Sequence, residues 1–288
     1  MERDILAQMQ KESKGFSKGQ RQIAKYISEN YDKAAFMTAG KLGKTVGVSE
    51  STVVRFASEL GYDGYPGMRR ALQDMIRNRL TAVQRIEVAR EQIGHDNILD
   101  AVLGADMEKL QVTRDEVDKE SFNAAVEAIL KARNIYIVGM RSSTSLANFM
   151  GFYLNQMLDN VHLVHDTSVS EVYEQVFRIA EGDVFIGISY PRYSSKTIKA
   201  MQFAKSTGAT VIGITDGNSS PFVSVADIIL FAKSDMVSFL DSLVAPMSLI
   251  NALIAYIGKK KHSEVTETLS RLETVWKEYN VYTSGTQE

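Results

Sequence analysis

The sequence predicts an α/β protein in two parts, an all-α N-terminal domain followed by a doubly wound domain built on a parallel sheet of five strands. Three observations predict it. First, the charge is split: of 288 residues, the first 80 hold 14 basic and 9 acidic side chains and the rest hold 19 and 26, so the total of -2 conceals +5 and -7. Second, apolar residues recur at helical spacing behind capping residues throughout the first part. Third, five short continuous apolar runs, separated mainly by helical patterns, occupy the second. A chain of this length with 44% apolar residues is expected to form two cored domains. The boundaries read as a helical domain over 1–80, a helical linker over 81–117, the α/β domain over 118–262, and a C-terminal helix and tail over 263–288.

In the first part, Ser17-Lys18-Gly19-Gln20 has the form of a capping box ahead of Ile23, Ala24 and Ile27, which predicts a helix over about 18–30. Thr38 caps a second short helix carrying Leu42 and Val46 and stopping at Gly47. Ser49 caps a third, whose stripe Val53, Phe56, Ala57 and Leu60 ends at Gly61. The offsets of Leu42, Gly43, Val46, Gly47, Val48, Val53 and Phe56 are those of a helix-turn-helix, in which a short glycine-containing turn sets two helices at a steep angle. Gly43 stands where close helix approach needs a small residue. With the stripe inward, Ser51, Thr52, Arg55 and Ser58 point outward as groups suited to base edges and phosphates. Lys41 and Lys44 lie on the preceding helix, and Arg69 and Arg70 on the next, which opens near Pro66 and reaches about 79. The expected nucleic-acid contacts are therefore Lys41, Lys44, Ser49, Ser51, Thr52, Arg55, Arg69 and Arg70. Net positive charge favours phosphate contact through counterion release.

Residues 80–118 carry helical spacing and many charges, predicting a connecting helix and a second over about 97–114. Asp118 then caps a helix carrying Phe122, Ala125, Val126, Ile129 and Leu130. The strands expected are Ile135–Val138, Val161–Val164, Asp183–Ile188, Thr210–Ile214 and Asp227–Phe231, with helices at 144–158, 169–180, 195–207 and 238–258. The last is apolar nearly all round, which marks it as core or dimer interface. Ligands in such sheets bind outside the carboxyl ends of the strands. Two loops there combine hydroxyls, an arginine and a helix start: Gly139-Met140-Arg141-Ser142-Ser143-Thr144-Ser145 and Ser189-Tyr190-Pro191-Arg192-Tyr193-Ser194-Ser195. Helix N-termini and guanidiniums both favour a phosphate or carboxylate. The expected ligand contacts are Arg141, Ser142, Ser143, Ser189, Arg192, Ser194 and Ser195. A dinucleotide is a poorer fit, since only Gly139 of a glycine-rich fingerprint follows the first strand.

Other chemistries find little footing. With no cysteine there is no thiol chemistry, disulfide or cysteine zinc site, and the histidines His95, His162, His165 and His262 form no metal-binding pattern. Neither metal nor cofactor nor catalytic residue is expected. No apolar run approaches the roughly 18 residues of a membrane span, and no secretory leader is read, so a cytoplasmic location without membrane contact is expected.

TAGKLGKTVGVSESTVVRFASELGYDGYPGMRRAL resembles the helix-turn-helix of RpiR-type bacterial transcription regulators, in which a capped S-x-x-T-V-x-R-F stretch opens the recognition helix. IYIVGMRSSTSLA and DVFIGISYPRYSSKTIKAMQFAKSTGATVIGITD resemble the two signature segments of the sugar isomerase (SIS) domain that follows it in that family. The resemblance covers about residues 5–260. It implies a regulator that binds operator DNA and responds to a phosphorylated sugar or related metabolite. Ser143 matches the serine of the first loop, and Ser189 and Ser194 match two hydroxyl positions of the second. Arg141 and Arg192 stand where the family commonly has glycine, and Pro191 where it has serine. The exchange keeps the site anion-seeking and admits a sugar acid beside a sugar phosphate. The expected partners are double-stranded operator DNA and that small anion, with the chain a homodimer or homotetramer; a two-fold pair would present recognition helices about 34 to 36 Å apart. The alternative is an aldose-ketose sugar-phosphate isomerase, for which Glu171, Glu174, His162 and His165 are the candidate bases.

Overall fold

In the computed structural model, which describes residues 5–77, 81, 83–87, 97–165, 169–236 and 240–282, the chain forms two compact units. One is Met1–Ala105 with Asp235–Ser242, and the other is Asp106–Ser234 with Leu243–Glu288.

The first unit is helical: α1 (Ile5–Glu12), α2 (Lys18–Glu29), α3 (Tyr31–Ala34), α4 (Ala39–Val46), α5 (Glu50–Glu59), α6 (Gly64–Arg77) and a short helical stretch α7 over 83–87. The capping box forms in both directions, Ser17 N–H donating to Gln20 Oε1 at 2.7 Å and Gln20 N–H to Ser17 Oγ at 3.4 Å. The Gln20 amide then donates to Glu59, tying α2 to α5. The core gathers the expected stripes, with Ile23, Ile27, Leu42, Val53, Phe56 and Leu60 all fully buried and Phe16 packed edge-on to Phe56 at 5.2 Å. The helix α1 has no counterpart in the sequence reading. Its two core residues, Ile5 and Met9, are a single i, i+4 pair among charges and are nonetheless buried. Of the connecting helix expected after residue 80, residues 83–87 are described; residues 78–80, 82 and 88–96 lie outside the described residues.

The helix expected at 238–258 begins instead at Val244, as α13 (Val244–Lys260). Pro246 sets that start. A helix from 238 would need an N–H at Pro246 to bond the carbonyl of Ser242, and the ring would clash with that carbonyl; in the first turn neither cost arises. Met236 and Asp241 instead form an isolated antiparallel bridge, and the Asp241 carboxylate accepts from the buried Arg85 guanidinium at 3.0 Å.

From α8 (Ile98–Glu116) and α9 (Lys119–Lys131) the chain enters a five-stranded sheet in the order β2-β1-β3-β4-β5, every pairing parallel. The strands are β1 (Ile135–Gly139), β2 (Val161–Val164), β3 (Val184–Ile188), β4 (Thr210–Thr215) and β5 (Ile228–Phe231). Between and after them run α10 (Ser143–Asn155), α11 (Val169–Val176), α12 (Ser195–Ser206), α13 and α14 (His262–Glu278). Alternation along each strand splits the core into two layers. Ile135, Ile137, Ile186, Ile188, Ile212 and Ile214 pack with α9, α10 and α13, whereas Tyr136, Val138, Phe185 and Val211 pack with α11 and α12. The doubly wound α/β expectation holds in class, strand count and sense.

Strand direction of travel reverses between β1 and β3: β2 lies to one side of β1, and β3, β4 and β5 follow on the other. A crevice opens outside the carboxyl ends of strands at such a switch point, and there helix N-termini meet.

Candidate nucleic-acid interface and ligand site

In the first unit, the turn between α4 and α5 is fixed by two glycines. Gly47 ends α4 in the left-handed conformation at φ 76°, where a side chain would be strained. Gly43 permits the close approach: a Cβ there would lie 2.8 Å from the Val48 carbonyl oxygen and 3.3 Å from the Glu50 nitrogen. Both atoms are backbone and cannot move aside, so the interhelical angle depends on this glycine. Thr38 caps α4 and Ser49 caps α5.

Ser49 Oγ also lies 2.8 Å from the hydroxyls of both Ser51 and Thr52, so three hydroxyls cluster at the N-terminus of α5, where the helix dipole favours an anion. Ser49, Ser51, Arg55 and Ser58 are exposed and Thr52 is half-buried, on the face opposite the buried Val53, Phe56 and Ala57. Lys41 and Lys44 are exposed on α4, and Arg70 is exposed on α6. Arg69 differs: it is half-buried beside Tyr65, whose phenol is pushed up to about 12 by burial against the opposing effect of the Arg69 charge. The Tyr65 hydroxyl donates to the Met37 carbonyl at 3.0 Å.

In the second unit, register places the two expected loops side by side. Gly139 pairs with Ile188 across adjacent strands. Met140 and Ser189 therefore leave the sheet about 5 Å apart. Gly139 is obligatory: a Cβ there would lie 2.3 Å from the Ser143 carbonyl oxygen, so only glycine lets the first turn of α10 sit on the end of β1. Ser143 is buried beneath that turn, Thr144 Oγ1 donates back to the Gly139 carbonyl at 2.9 Å, and Ser142 is exposed and makes no capping bond. In the second loop, Ser194 caps α12 by accepting from Thr197 N–H, and the buried Ser189 accepts from Ser194 N–H at 3.1 Å. These two hydroxyl oxygens brace the loop, and Ser195 is exposed beyond them.

Arg141 and Arg192 adopt backbones that favour glycine. Arg141 has φ 57° and Arg192 φ 67°, and both side chains are exposed. The left-handed region costs a non-glycine residue roughly 1 to 2 kcal/mol, so each loop carries a strained arginine beyond the carboxyl ends of β1 and β3.

Sequence reading missed the floor of this site. Tyr193 donates its hydroxyl to Asp216 Oδ1 at 2.8 Å, and Thr215, at the end of β4, donates to the same oxygen at 3.1 Å. The Tyr190 hydroxyl is buried without a hydrogen-bond partner, its pKa raised well above the ordinary value by burial and by the Asp216 charge. An acidic residue directly after a strand, at Ile214-Thr215-Asp216, was the available signal.

Of the isomerase candidates, His162 pairs in register with Tyr136, the second residue of β1, where it stacks on that ring at 4.9 Å and contacts Asn134. That is toward the amino end of the strands, away from the loops. Glu171 and Glu174 are exposed on α11, and both the N–H and the C=O of His165 are bonded by the Gln175 amide. Among the described residues no three His, Asp or Glu side chains form a cluster able to hold a metal, and no helix is long and apolar enough to cross a membrane.

Two family models match the chain: a helix-turn-helix domain of the rpiR family over residues 3–79 and a SIS domain over residues 128–256. An uncharacterized HTH-type transcriptional regulator of Caldanaerobacter subterraneus is 24% identical over 94% of this chain and 96% of its own. The sugar isomerase domain of an RpiR transcription factor from Sphaerobacter thermophilus is 27% identical with a TM-score of 0.58, covering 62% of this chain and 98% of that one. The NanR protein of Vibrio vulnificus, solved in complex with ManNAc-6P, is similar in fold with a TM-score of 0.60 and 21% identity, over 98% of this chain and 100% of that one.

Proposed function

The chain is a helix-turn-helix-type transcriptional regulator of the rpiR family carrying a SIS domain, and from that premise we propose that it binds operator DNA sequence-specifically through α5 while the crevice above β1 and β3 takes an anionic metabolite that changes that affinity. The observation that carries the first half is the outward face of Ser51, Arg55 and Ser58, with the half-buried Thr52 beside them, held at a fixed angle by the Gly43 contact. Lys41, Lys44, Arg69 and Arg70 supply the phosphate contacts around it.

The second half rests on the two juxtaposed loops with their exposed arginines. Arg141 and Arg192 bind a phosphate or carboxylate bidentately, Ser142, Ser143 and Ser195 donate hydroxyls to it, and Ser189 and Ser194 hold the loop that presents Arg192. That a fold relative was solved with a sugar phosphate supports a ligand of this class. We read the chain as a regulator without isomerase activity, because the relatives are named as regulators and because His162, Glu171 and Glu174 lie on edge and surface positions outside the loops. Two copies, related by a two-fold axis, would engage the two halves of a palindromic site. The protein is read as cytoplasmic.

Arg55→Ala tests the interface. Binding to a selected site should weaken by about 1 to 3 kcal/mol with relaxed sequence preference and an unchanged melting temperature; an unaltered footprint would remove α5 from base readout.

A further inference from the structure

One apolar side chain of the helix-turn-helix takes no part in its core. Among the described side chains of residues 5–77, Val54 is the one valine, leucine, isoleucine, methionine or aromatic group that stands exposed, at 39%. Its neighbour Val53 is fully buried. Residues three and four apart share one side of a helix, so Val54 stands with Ser51 and Ser58 on the outward side of α5, and Arg55 follows it directly. A lone exposed valine is ordinary on a protein surface. On a helix, however, a β-branched side chain is restricted at χ1, and alanine or a straight-chain residue suits an exposed turn better.

The hydroxyls beside it are engaged within α5. Ser49 Oγ accepts from Thr52 N–H at 3.2 Å and lies 2.8 Å from the hydroxyls of both Ser51 and Thr52. The Ser58 hydroxyl donates to the Val54 carbonyl at 3.3 Å. A hydroxyl that gives up one hydrogen bond to make another gains little by the exchange. Discrimination between bases therefore falls mainly on Arg55 and Val54. The guanidinium of Arg55 carries paired donors that match a guanine edge. Val54 has no polar side-chain atom and reads by a different chemistry.

In the major groove thymine presents an apolar group, its 5-methyl, beside the donors and acceptors of the base edges. A valine pressed on those donors and acceptors would strip them of water and return no hydrogen bond. Against a methyl group both partners are apolar, and both gain by leaving water. The Gly43 contact that fixes α5 against the preceding helix fixes the direction of this valine as well. The geometry points to Val54 as a specificity-determining residue that packs on the 5-methyl group of one thymine in each operator half-site. This rests on the reading of α5 as the recognition helix and names a group that it reads.

The test uses the full-length chain and a DNA site selected in vitro, with each thymine replaced singly by deoxyuridine, which removes only the methyl. For wild type, one replacement in each half-site should weaken binding about fourfold, the contribution of one methyl-sized group removed from water. Val54→Ala should weaken binding to the thymine site by a similar factor. It should then bind the thymine and deoxyuridine versions within about twofold of each other, the limit to which independent changes add. Val54→Ile keeps the apolar reach and should keep the thymine preference. Alanine suits an exposed helical position, so the melting temperature of Val54→Ala should be unchanged or higher. Selected sites with no thymine at a fixed position, no loss on any deoxyuridine replacement, or a loss of the same size in Val54→Ala each overturn the assignment. Arg55→Ala, measured on the same sites, separates the two readings. If it weakens binding while Val54→Ala does not, α5 still reads the groove and Val54 does not read the thymine. If neither variant weakens binding, the recognition-helix reading falls and the assignment falls with it.

Discussion

The most informative single residues are the two arginines with positive φ. Glycine at these loop positions would carry no steric cost; this chain accepts that cost twice, at Arg141 and Arg192, and keeps both guanidiniums exposed. Under the proposed function, strain is kept at these positions because the side chains bind the anion. Arg141→Gly with Arg192→Gly therefore has a directional outcome. Relief of about 1 to 2 kcal/mol at each site, less glycine's roughly 0.5 to 1 kcal/mol entropic cost, should leave the unliganded protein as stable or slightly more stable, read as an unchanged or higher melting temperature. Lower stability would mean that the arginines hold the loops through contacts of their own.

Among the elements, the ends of β1 and β3 are held from below by one buried carboxylate. Asp183 accepts two bonds from the Arg133 guanidinium, at 2.9 and 2.8 Å, and further bonds from Asn134 and from Ala180 N–H. Burial pushes its pKa up, but these donors outweigh burial and hold it below the ordinary carboxylate value. A depressed folded pKa contributes stability above the unfolded value of about 3.9, and that contribution is lost as pH falls through the folded pKa. Acid unfolding of wild type below about pH 4 should accordingly be steeper than that of Asp183→Asn, which should be the less stable of the two at pH 7; parallel acid titrations by circular dichroism would remove this role from Asp183. At the same scale, the strands were readable because a sheet covered on both faces demands continuous apolar runs. The caps at Ser17, Thr38, Ser49 and Asp118 were readable because their chemistry is local. The start of α13 was misplaced because apolarity continues through Phe239 and Leu240 whether or not a helix does, and only the Pro246 ring decides. The helix α1 was hidden because two core residues make no stripe. The floor of the candidate site stayed unread for a different reason: Asp216 after β4 was a visible signal, but its meeting with Tyr190 and Tyr193 from the end of β3 depends on register that no local pattern encodes.

At the scale of the whole molecule, the opposed charges of the two halves acquire a division of labour: the basic part presents hydroxyls and guanidinium around α5, and the acidic part keeps its crevice arginines as local exceptions. A ligand can alter DNA binding only through unequal affinity for DNA-competent and incompetent arrangements, commonly worth about 1 to 3 kcal/mol. Under the proposed function, an anion held by the two loops regulates the helix-turn-helix. The direct measurement is the affinity of the full chain for a selected DNA site, with and without a saturating sugar phosphate or sugar acid identified by thermal shift, in wild type and in Arg141→Gly/Arg192→Gly. The expected result is a change of about 5- to 150-fold in wild type and none in the double variant, with equal DNA affinity for the two unliganded proteins. A ligand effect of full size in the double variant would contradict it.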